Sequence, residues 1–237
     1  MLEERREGLF VVFEGIDGSG TSSNVIELVR LLEELDKYQD VIRTHEPWRK
    51  QEIKEILEKD TDVYSNAEEI LYFLLGDRTD HTYEIIKPNL LAGAVVGCSR
   101  YKMSTCAFQQ AQGIPLNRLL KLHEHRGIIK PDLTFFLDVE KENAARRFKD
   151  RKKREKFEKD PEFVDKVIAN YRELIELSKK DESLFGRVET IDANKPLEEV
   201  VKAIRNIFVP FYERWKGINF QYTDILVYNQ KWAKSRQ

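Results

Sequence analysis

The feature that most constrains the fold is a glycine-rich turn set between an apolar strand and an amphipathic helix, FVVFEGIDGSGTSS from Phe10 to Ser23. Gly15, Gly18 and Gly20 let the main chain take positive φ angles and approach an anion closely. The turn and the helix N-terminus direct several N–H groups and the positive end of the helix dipole at one point. The segment therefore predicts a phosphate-binding loop at a first strand-to-helix junction. The alternative is a turn that needs glycine only for its shape.

The loop departs from the complete pattern G-x-x-x-x-G-K-[ST] at one position. Gly15, Gly20 and Ser22 match it, and Ser22 stands where the hydroxyl that binds Mg²⁺ belongs, but Thr21 replaces the lysine. That lysine normally contacts the β- and γ-phosphates of ATP, so its loss removes a charged contact worth roughly 3–4 kcal/mol in the transition state. Either another cation compensates, or the chain binds nucleotide without fast chemistry. The predicted ATP- and phosphate-binding residues are Gly15, Asp17, Gly18, Ser19, Gly20, Thr21, Ser22 and Ser23, with Ser22 as the metal ligand.

A source for the missing charge is the basic segment RRFKDRKKREKFEK, from Arg146 to Lys159. Charge runs of this kind are usually solvated helix faces. Together with a phosphate loop, however, the segment favours a lid whose cations meet the phosphates. Arg151 and Arg154 are then the candidates for an arginine supplied in cis.

Strand-like and helix-like segments alternate along the chain. Apolar runs of strand length occupy Leu9–Phe13, Val41–Thr44, Ala94–Cys98, Leu133–Val139 and Val188–Ile191. Helical spacing of apolar residues runs from Val25 to Leu35, and over about Asn66–Ile86, Pro115–Arg126, Lys141–Lys149, Pro161–Lys179 and Pro196–Phe211. The alternation predicts an α/β fold of the P-loop kind, a three-layer α/β/α sandwich in which helices flank a parallel five-stranded sheet.

Composition limits the classes of protein. A chain of 237 residues is long enough for one large α/β domain, and a net charge of −2 gives no reason to expect general binding to nucleic acid or membranes. Cys98 and Cys106 are too few for a disulfide framework and lie in apolar stretches, so we expect buried free thiols. The segment Met1 to Gly8 is charged, and no run approaches the roughly 18 apolar residues of a membrane span. We therefore expect a cytoplasmic protein.

Several motifs, in order along nearly the whole chain, resemble those of thymidylate kinases. FVVFEGIDGSG resembles the opening of that family, and THEP at Thr44–Pro47 resembles its TREP. GDRTDHTYEIIKPNLLAGAVVGCSRYKMSTCAFQ resembles the family's DR-x-x-H, IKP-x-L-x-x-G-x-VV and DRY-x-x-S-x-x-A-[YF]-Q, and KFEKDPEFVDKVIANYREL resembles the stretch after its lid. Any one piece is unspecific, but the shared order and spacing is far more specific. We set the domain at residues 1–217, with the lid at about 146–159 and a C-terminal extension of unknown role at 218–237.

The resemblance implies an ATP-dependent phosphotransferase, a nucleoside monophosphate kinase that uses Mg²⁺ to transfer the γ-phosphoryl of ATP to dTMP, and a homodimer. It implies that Arg78 of the DR pair and Arg100 of the DRY-like motif bind the acceptor's phosphate, since a guanidinium forks onto phosphate oxygens. It also implies that Asp17 contacts the 3′-hydroxyl of the acceptor sugar. The predicted catalytic residues are Asp17, Arg100, Arg151 and Arg154. The predicted acceptor-binding residues are Glu46, Leu74, Arg78, Arg100, Ser104, Thr105, Phe108 and Gln109.

Four positions depart from the family's motifs. Thr21 replaces the loop lysine, and Ser99 stands where the DRY aspartate would be. His45 replaces the TREP arginine, and Leu74 stands where a phenylalanine usually stacks on thymine. The first two bear on turnover and the other two on the identity of the acceptor. They leave two alternatives open: a non-catalytic nucleotide-binding homologue, or a kinase for another small (deoxy)nucleotide.

Overall fold

Five parallel strands form a single sheet in the order β2-β3-β1-β4-β5. The computed structural model describes residues 7–49, 53, 62–147 and 160–217 of the chain. All five predicted strands are confirmed, with ends within one or two residues of the predicted ones. Their bounds are β1 Leu9–Glu14, β2 Val41–His45, β3 Val95–Ser99, β4 Leu133–Asp138 and β5 Arg187–Asp192.

Strand β1 lies at the centre of the sheet, between β3 and β4. Its residues pair in parallel register on both sides, with Val12 opposite Cys98 of β3 and Thr134 of β4. All six residues of β1 are buried, which is why the strand is a continuous apolar run up to Glu14. The loop after β1 therefore emerges at the carboxyl edge of the sheet, where chain connections diverge and open α/β sheets bind their ligands.

The helices that cover the sheet confirm most of the predicted helical segments. The predicted helix over Asn66–Ile86 is α-helical only as far as His81 and then continues as a π-helical turn, Thr82–Ile86. The proposed end of one helix at Lys149 lies outside the described residues. The α-helices of the described chain are α1 Thr21–Leu35, α2 Ala67–His81, α3 Lys87–Leu91, α4 Lys102–Ala111, α5 Leu116–Glu124, α6 Lys141–Arg147, α7 Pro161–Lys180 and α8 Leu197–Trp215.

Helix α4 was not predicted from the apolar period. Its buried face carries Thr105 and Gln109 between apolar residues, so the spacing of hydrophobic side chains does not reveal a helix. These two buried polar residues belong to the predicted acceptor site. The helical spacing of apolar residues is therefore interrupted in the part of the chain that contributes to that site.

Two apolar clusters cover the two faces of the sheet. Leu9, Val11 and Phe13 of β1 belong to the larger cluster, with residues from α1, α2, α4, α7 and α8. Phe10 and Val12 belong to the smaller one, with residues around α3. Alternate residues of one strand thus enter opposite clusters, which confirms the three-layer α/β/α sandwich.

Two further predictions concern the described part of the chain. Cys98 and Cys106 are free and buried, as expected. Among the described helices, none combines the length and the apolar character that crossing a bilayer would require. The domain bounds stay a prediction, because most of the proposed lid and all of residues 218–237 lie outside the described residues.

Candidate functional site

The glycine-rich loop at the end of β1 has the backbone that its sequence predicts. Gly15, Gly18 and Gly20 have φ angles of 152°, 81° and 97°, all in the range that side chains rarely adopt. A Cβ at Gly15 would also lie 2.6 Å from Ser19 Oγ and 2.9 Å from the carbonyl oxygen of Leu137. Gly15 is therefore required both for its backbone angles and for the space it leaves.

Helix α1 begins directly after this loop, with Gly20 as its N-cap residue in the left-handed conformation. No described side chain caps the first turn, and the amide of Asn24 instead donates to the Gly20 carbonyl at 3.0 Å. N–H groups in the first turn of a helix have no partner within the helix, and an anion satisfies them well. The end of α1 thus has the form of a phosphate site.

Three hydroxyl groups meet between the start of α1 and the end of β3. Ser99 Oγ donates to Thr21 Oγ1 at 2.9 Å, and Ser22 Oγ lies 3.2 Å from Ser99 Oγ. Thr21 and Ser99 are therefore in direct contact. They are the two departures from the family's motifs that bear on turnover.

The donor set fits a nucleotide-bound magnesium ion. Mg²⁺ at phosphate sites keeps several waters and takes only one or two protein oxygens together with the substrate phosphates. Ser22 is exposed beside the loop, so its hydroxyl oxygen is open to such an ion, and its role as the metal ligand stays a prediction. Within the described residues, no group of three His, Cys, Asp or Glu side chains could hold a metal by itself.

Arg100 joins β3 to the phosphate loop. It follows β3 with φ 65°, donates from Nη1 to the Gly15 carbonyl at 2.8 Å, and pairs through Nη2 with Asp17. Burial disfavours its charge, but the neighbouring Asp17 and Glu14 outweigh this and raise the pKa of Arg100. A permanent cation thus lies against the loop, and binding of the acceptor phosphate by Arg100 stays a prediction.

Glu14, which sequence reasoning missed, ties three elements together beneath the loop. This fully buried carboxylate at the end of β1 accepts from the backbone N–H of Tyr101 at 2.9 Å and from that of Ser104 at 3.1 Å. It also accepts from the hydroxyls of Ser104 and Tyr171. Burial raises the pKa of Glu14, although the bonds from Ser104 oppose this. The signal was available in the sequence as a charged residue that ends an apolar strand.

Arg78 on α2 lies in a buried polar cluster and not at an open surface. Its Nε donates to Glu46 at 2.7 Å, its Nη1 to His123 Nε2 at 2.6 Å and its Nη2 to Thr105 Oγ1 at 2.9 Å. Burial opposes its charge, but Glu46 raises the pKa of Arg78. Every nitrogen of the guanidinium therefore has a protein partner. Phosphate binding by Arg78 stays a prediction, and it requires Arg78 to give up one of these hydrogen bonds for a bond to the phosphate.

His123 on α5 closes this cluster, and no sequence motif identified it. Its Nδ1 donates to the Leu119 carbonyl at 2.7 Å, so Nε2 carries the lone pair that accepts from Arg78. Burial, followed by the charge of Arg78, lowers the pKa of His123 well below its ordinary value. The ring is neutral and serves as an acceptor.

The remaining predicted acceptor residues lie on α4 and α2. The Phe108 ring is 5.4 Å from the Arg100 guanidinium carbon, and Ser104 Oγ is 3.4 Å from Arg100 Nη1. Gln109 is buried and donates to the side chain of Gln112 at 3.0 Å. Leu74 is half-buried, one helical turn before the arginine of α2. The structure thus brings Phe108 and Ser104 to Arg100, whereas Thr105 joins the cluster around Arg78.

A cation that sequence reasoning did not single out also contacts the loop. Arg147, the last residue of α6, donates from Nη1 to the Gly18 carbonyl at 3.0 Å and from Nη2 to the Ala193 carbonyl at 2.6 Å. The predicted Arg151 and Arg154 lie outside the described residues. Their signal was a run of basic residues, which does not say which member reaches the loop.

Three features together define a class of protein. A central strand of a parallel sheet ends in a glycine loop, the loop leads into an uncapped helix, and arginines lie against the loop. That class is the P-loop nucleotide-binding proteins.

Comparison with known proteins makes this more specific. The family model "Thymidylate kinase" matches residues 13–204. The "Probable thymidylate kinase" of Archaeoglobus fulgidus is 34% identical over 211 residues, which cover 89% of this chain and 100% of that protein. The "Thymidylate kinase" of Ruegeria pomeroyi is 34% identical over 214 residues, with 87% and 97% covered, and the "Probable thymidylate kinase" of Thermococcus gammatolerans is 32% identical over 208 residues, with 83% and 94% covered. The chain belongs to the thymidylate kinase family, whose members are ATP-dependent phosphotransferases, and the resemblance in its motifs is confirmed.

Proposed function

We propose that this chain is a nucleoside monophosphate kinase that transfers the γ-phosphoryl of ATP to dTMP and forms dTDP. The observation that carries the proposal is the attachment of Arg100 to the phosphate loop through the Gly15 carbonyl and Asp17. The arginine assigned to the acceptor and the loop assigned to the donor are thereby held at a fixed separation. Membership of the thymidylate kinase family supports both assignments.

On the donor side, main-chain N–H groups of the loop and of the first turn of α1 bind the phosphates of ATP. Ser22 would hold the Mg²⁺ that accompanies the nucleotide, and the ion would supply positive charge to the phosphate oxygens. Thr21 contributes a hydrogen bond but no charge. Arg147 is the described cation that meets the loop from α6, through the Gly18 carbonyl. We propose that it supplies part of the charge that the missing lysine would have carried.

On the acceptor side, Arg100 forks onto the acceptor phosphate and Asp17 accepts from the sugar 3′-hydroxyl. Phe108 contributes an aromatic wall beside Arg100. The buried cluster of Arg78, Glu46 and Thr105 forms the floor of the pocket. Because these groups are held by one another, catalysis consists mainly of positioning two phosphates and neutralising their charge.

A coupled assay of ADP formation tests the proposal. Purified protein with ATP and Mg²⁺ is offered dTMP, dUMP, dCMP, dAMP, dGMP and the ribonucleoside monophosphates in separate reactions. We expect turnover with dTMP above that with any other acceptor. Arg100→Ala should lower kcat/KM by about a hundredfold or more, since it removes a charged contact to the transferring group. Arg30→Ala, which changes an exposed arginine of α1, is the matched control and should leave the rate unchanged. Absence of turnover with every acceptor would overturn the proposal.

Another small nucleotide as acceptor is favoured by one observation. Leu74 provides an aliphatic side chain one turn before Arg78 and no ring to stack on thymine. A different preferred acceptor in the same panel would replace dTMP and leave the reaction class unchanged. If no acceptor reacts, calorimetry with ADP and Mg²⁺ distinguishes two cases. A non-catalytic nucleotide-binding homologue binds ADP, whereas a protein whose loop does not bind phosphate does not.

The family resemblance also supports a homodimer. We propose this assembly, and light scattering of the purified protein tests it by giving a mass near twice that of one chain. A mass of one chain at micromolar concentration would contradict it.

A further inference from the structure

The two departures from the family's motifs that bear on turnover form one structural feature. Thr21 begins α1 and Ser99 ends β3, yet Ser99 Oγ donates to Thr21 Oγ1 at 2.9 Å. Both residues are buried, at 8% and 5% exposure, so solvent does not satisfy these hydroxyls readily. Ser22, exposed at the mouth of the loop, lies 3.2 Å from Ser99 Oγ. We call these three residues the hydroxyl chain.

The protons of the hydroxyl chain have a direction. A serine hydroxyl carries one proton and two lone pairs. Ser99 commits its proton to Thr21, so at the contact between Ser99 and Ser22 the donor is Ser22. The proton of Ser22 therefore points inward, and the lone pairs of its oxygen are left for another partner. An oxygen in this state is the form in which a hydroxyl binds a cation.

Charge balance explains how this chain accommodates both departures at once. A lysine at position 21 beside an aspartate at position 99 would be an ion pair, and removing one member of a buried ion pair leaves the other charge uncompensated. Thr21 and Ser99 are both neutral and satisfy each other, so no buried charge is stranded. Ser99 still accepts from Ser22, as a carboxylate at that position would.

We propose that Ser99 is a positioning residue, and that the hydroxyl chain acts as a unit that orients Ser22 for the magnesium ion of the bound nucleotide. The proposal rests on the proposed function of Ser22 as the metal ligand. It adds that Thr21 has a role of its own in the hydroxyl chain, besides standing where the motif has a lysine.

The test measures ADP affinity by calorimetry with and without Mg²⁺, and takes the ratio of the two dissociation constants. Ser99→Ala removes the acceptor for the proton of Ser22, and we expect the gain in affinity from Mg²⁺ to fall about fivefold to tenfold. Ser99→Thr keeps the hydroxyl and should retain most of that gain. The exposed Ser183→Ala, far along the chain in the turn after α7, is the control and should change neither constant. An unchanged ratio in Ser99→Ala would overturn the proposal.

A neutral double-mutant cycle tests whether the chain acts as a unit. Thr21→Val deprives Ser99 of its acceptor without touching Ser22, so it should also lower the gain from Mg²⁺. The double variant Thr21→Val with Ser99→Ala should be no worse than Ser99→Ala alone, because both changes break the same chain. Effects that multiply in the double variant would overturn the proposal. A variant that lost only a direct phosphate contact would bind ADP more weakly in both conditions and would leave the ratio unchanged.

Restoring the charges provides a second cycle. Ser99→Asp alone places an unpaired carboxylate beside the loop, and we expect it to weaken ADP binding about tenfold. The same change combined with Thr21→Lys should cost much less, since the pair compensates. Equal losses in both backgrounds would contradict the coupling. These measurements use ADP without an acceptor, so a chain that binds ADP but lacks kinase activity would overturn the proposed function and leave this inference standing.

Discussion

At the scale of the residue, the charged groups buried at the carboxyl edge of the sheet each have specific partners. Glu14 accepts from two backbone N–H groups and two hydroxyls, and Arg78 donates to Glu46, His123 and Thr105. Burial of an unpaired charge costs several kcal/mol, so such groups persist only where partners compensate. Their partners come from different elements, so these side chains also hold the edge of the site together.

Gly15 is the residue whose replacement best tests the loop. Alanine at this position combines φ 152° with a Cβ placed 2.6 Å from Ser19 Oγ and 2.9 Å from a backbone oxygen. We expect Gly15→Ala to weaken ADP binding about tenfold or more, because the loop must shift away from its anion-binding form. Calorimetry with ADP and Mg²⁺ measures this.

Gly76→Ala is the matched control. This glycine lies within α2, and nothing stands within 4 Å of the Cβ it would gain. The change should leave ADP affinity unchanged and raise the free energy of unfolding by about 0.5–1 kcal/mol, because it reduces the freedom of the unfolded chain. ADP affinity in Gly15→Ala equal to that of the parent would contradict the assigned role of the loop.

At the scale of the element, α5 is attached to α2 through the contact between a neutral histidine and an arginine. His123 accepts from Arg78 and donates to its own helix at Leu119. Protonation of the His123 ring would place a second positive charge beside the Arg78 guanidinium, where both side chains are buried. The packing of the two helices therefore depends on the protonation state of His123.

The pH dependence of stability follows from this. The pKa of His123 lies well below its ordinary value in the folded state, whereas in the unfolded chain it is about 6.5. Below pH about 6.5 the unfolded chain therefore binds a proton that the folded chain does not. The free energy of unfolding should fall by up to about 1.4 kcal/mol per pH unit from this residue, until the pH reaches the folded pKa. Above about pH 6.5 the contribution is fully present.

Urea denaturation between about pH 7.5 and 5 measures this slope. His123→Gln keeps a neutral side chain and should remove the histidine's part of the slope, while the exposed His125→Gln should not. The comparison with a variant is needed because Glu14, whose pKa is raised by burial, acts in the opposite sense and favours the folded state as it protonates. Parallel slopes for the parent and His123→Gln would contradict the role of this contact.

At the scale of the whole molecule, nucleotide binding and folding are linked. A ligand that binds only the folded chain at one hundred times its dissociation constant adds about 2.7 kcal/mol to stability. For a chain of this length that corresponds to roughly 5–10 °C in the unfolding temperature. We expect ADP with Mg²⁺ to give such a shift by thermal denaturation, and adenosine, which lacks phosphates, to give little. No shift with millimolar ADP would contradict phosphate binding by the loop.

Much of this architecture was predictable because its signals are local. The three inner strands are apolar runs because a parallel sheet covered on both faces buries nearly every residue of its central strands, whereas β2 and β5 at the two edges are only partly buried. The phosphate loop is visible because positive φ angles require glycine at particular positions. The resemblance to thymidylate kinases added the order of the motifs. None of these signals depends on knowing which distant residue touches which.

The rest depended on contacts that crossovers create between distant parts of the chain. Helix α4 was missed because its buried face is partly polar, and those polar groups find partners only in the folded site. The same holds for Glu14 and His123, whose partners lie on other elements. A residue's type does not reveal that it will be buried beside a complementary group.

The sequence by itself determined the parallel sheet, the glycine loop after its central strand and the membership of a kinase family, because periodicity and backbone permissiveness act over a few residues. Only the tertiary structure decided that Thr21 and Ser99 meet, that Arg147 contacts the loop and that Arg78 is enclosed. The physical reason is that parallel register brings the ends of separate strands to one edge, where side chains far apart in sequence become neighbours.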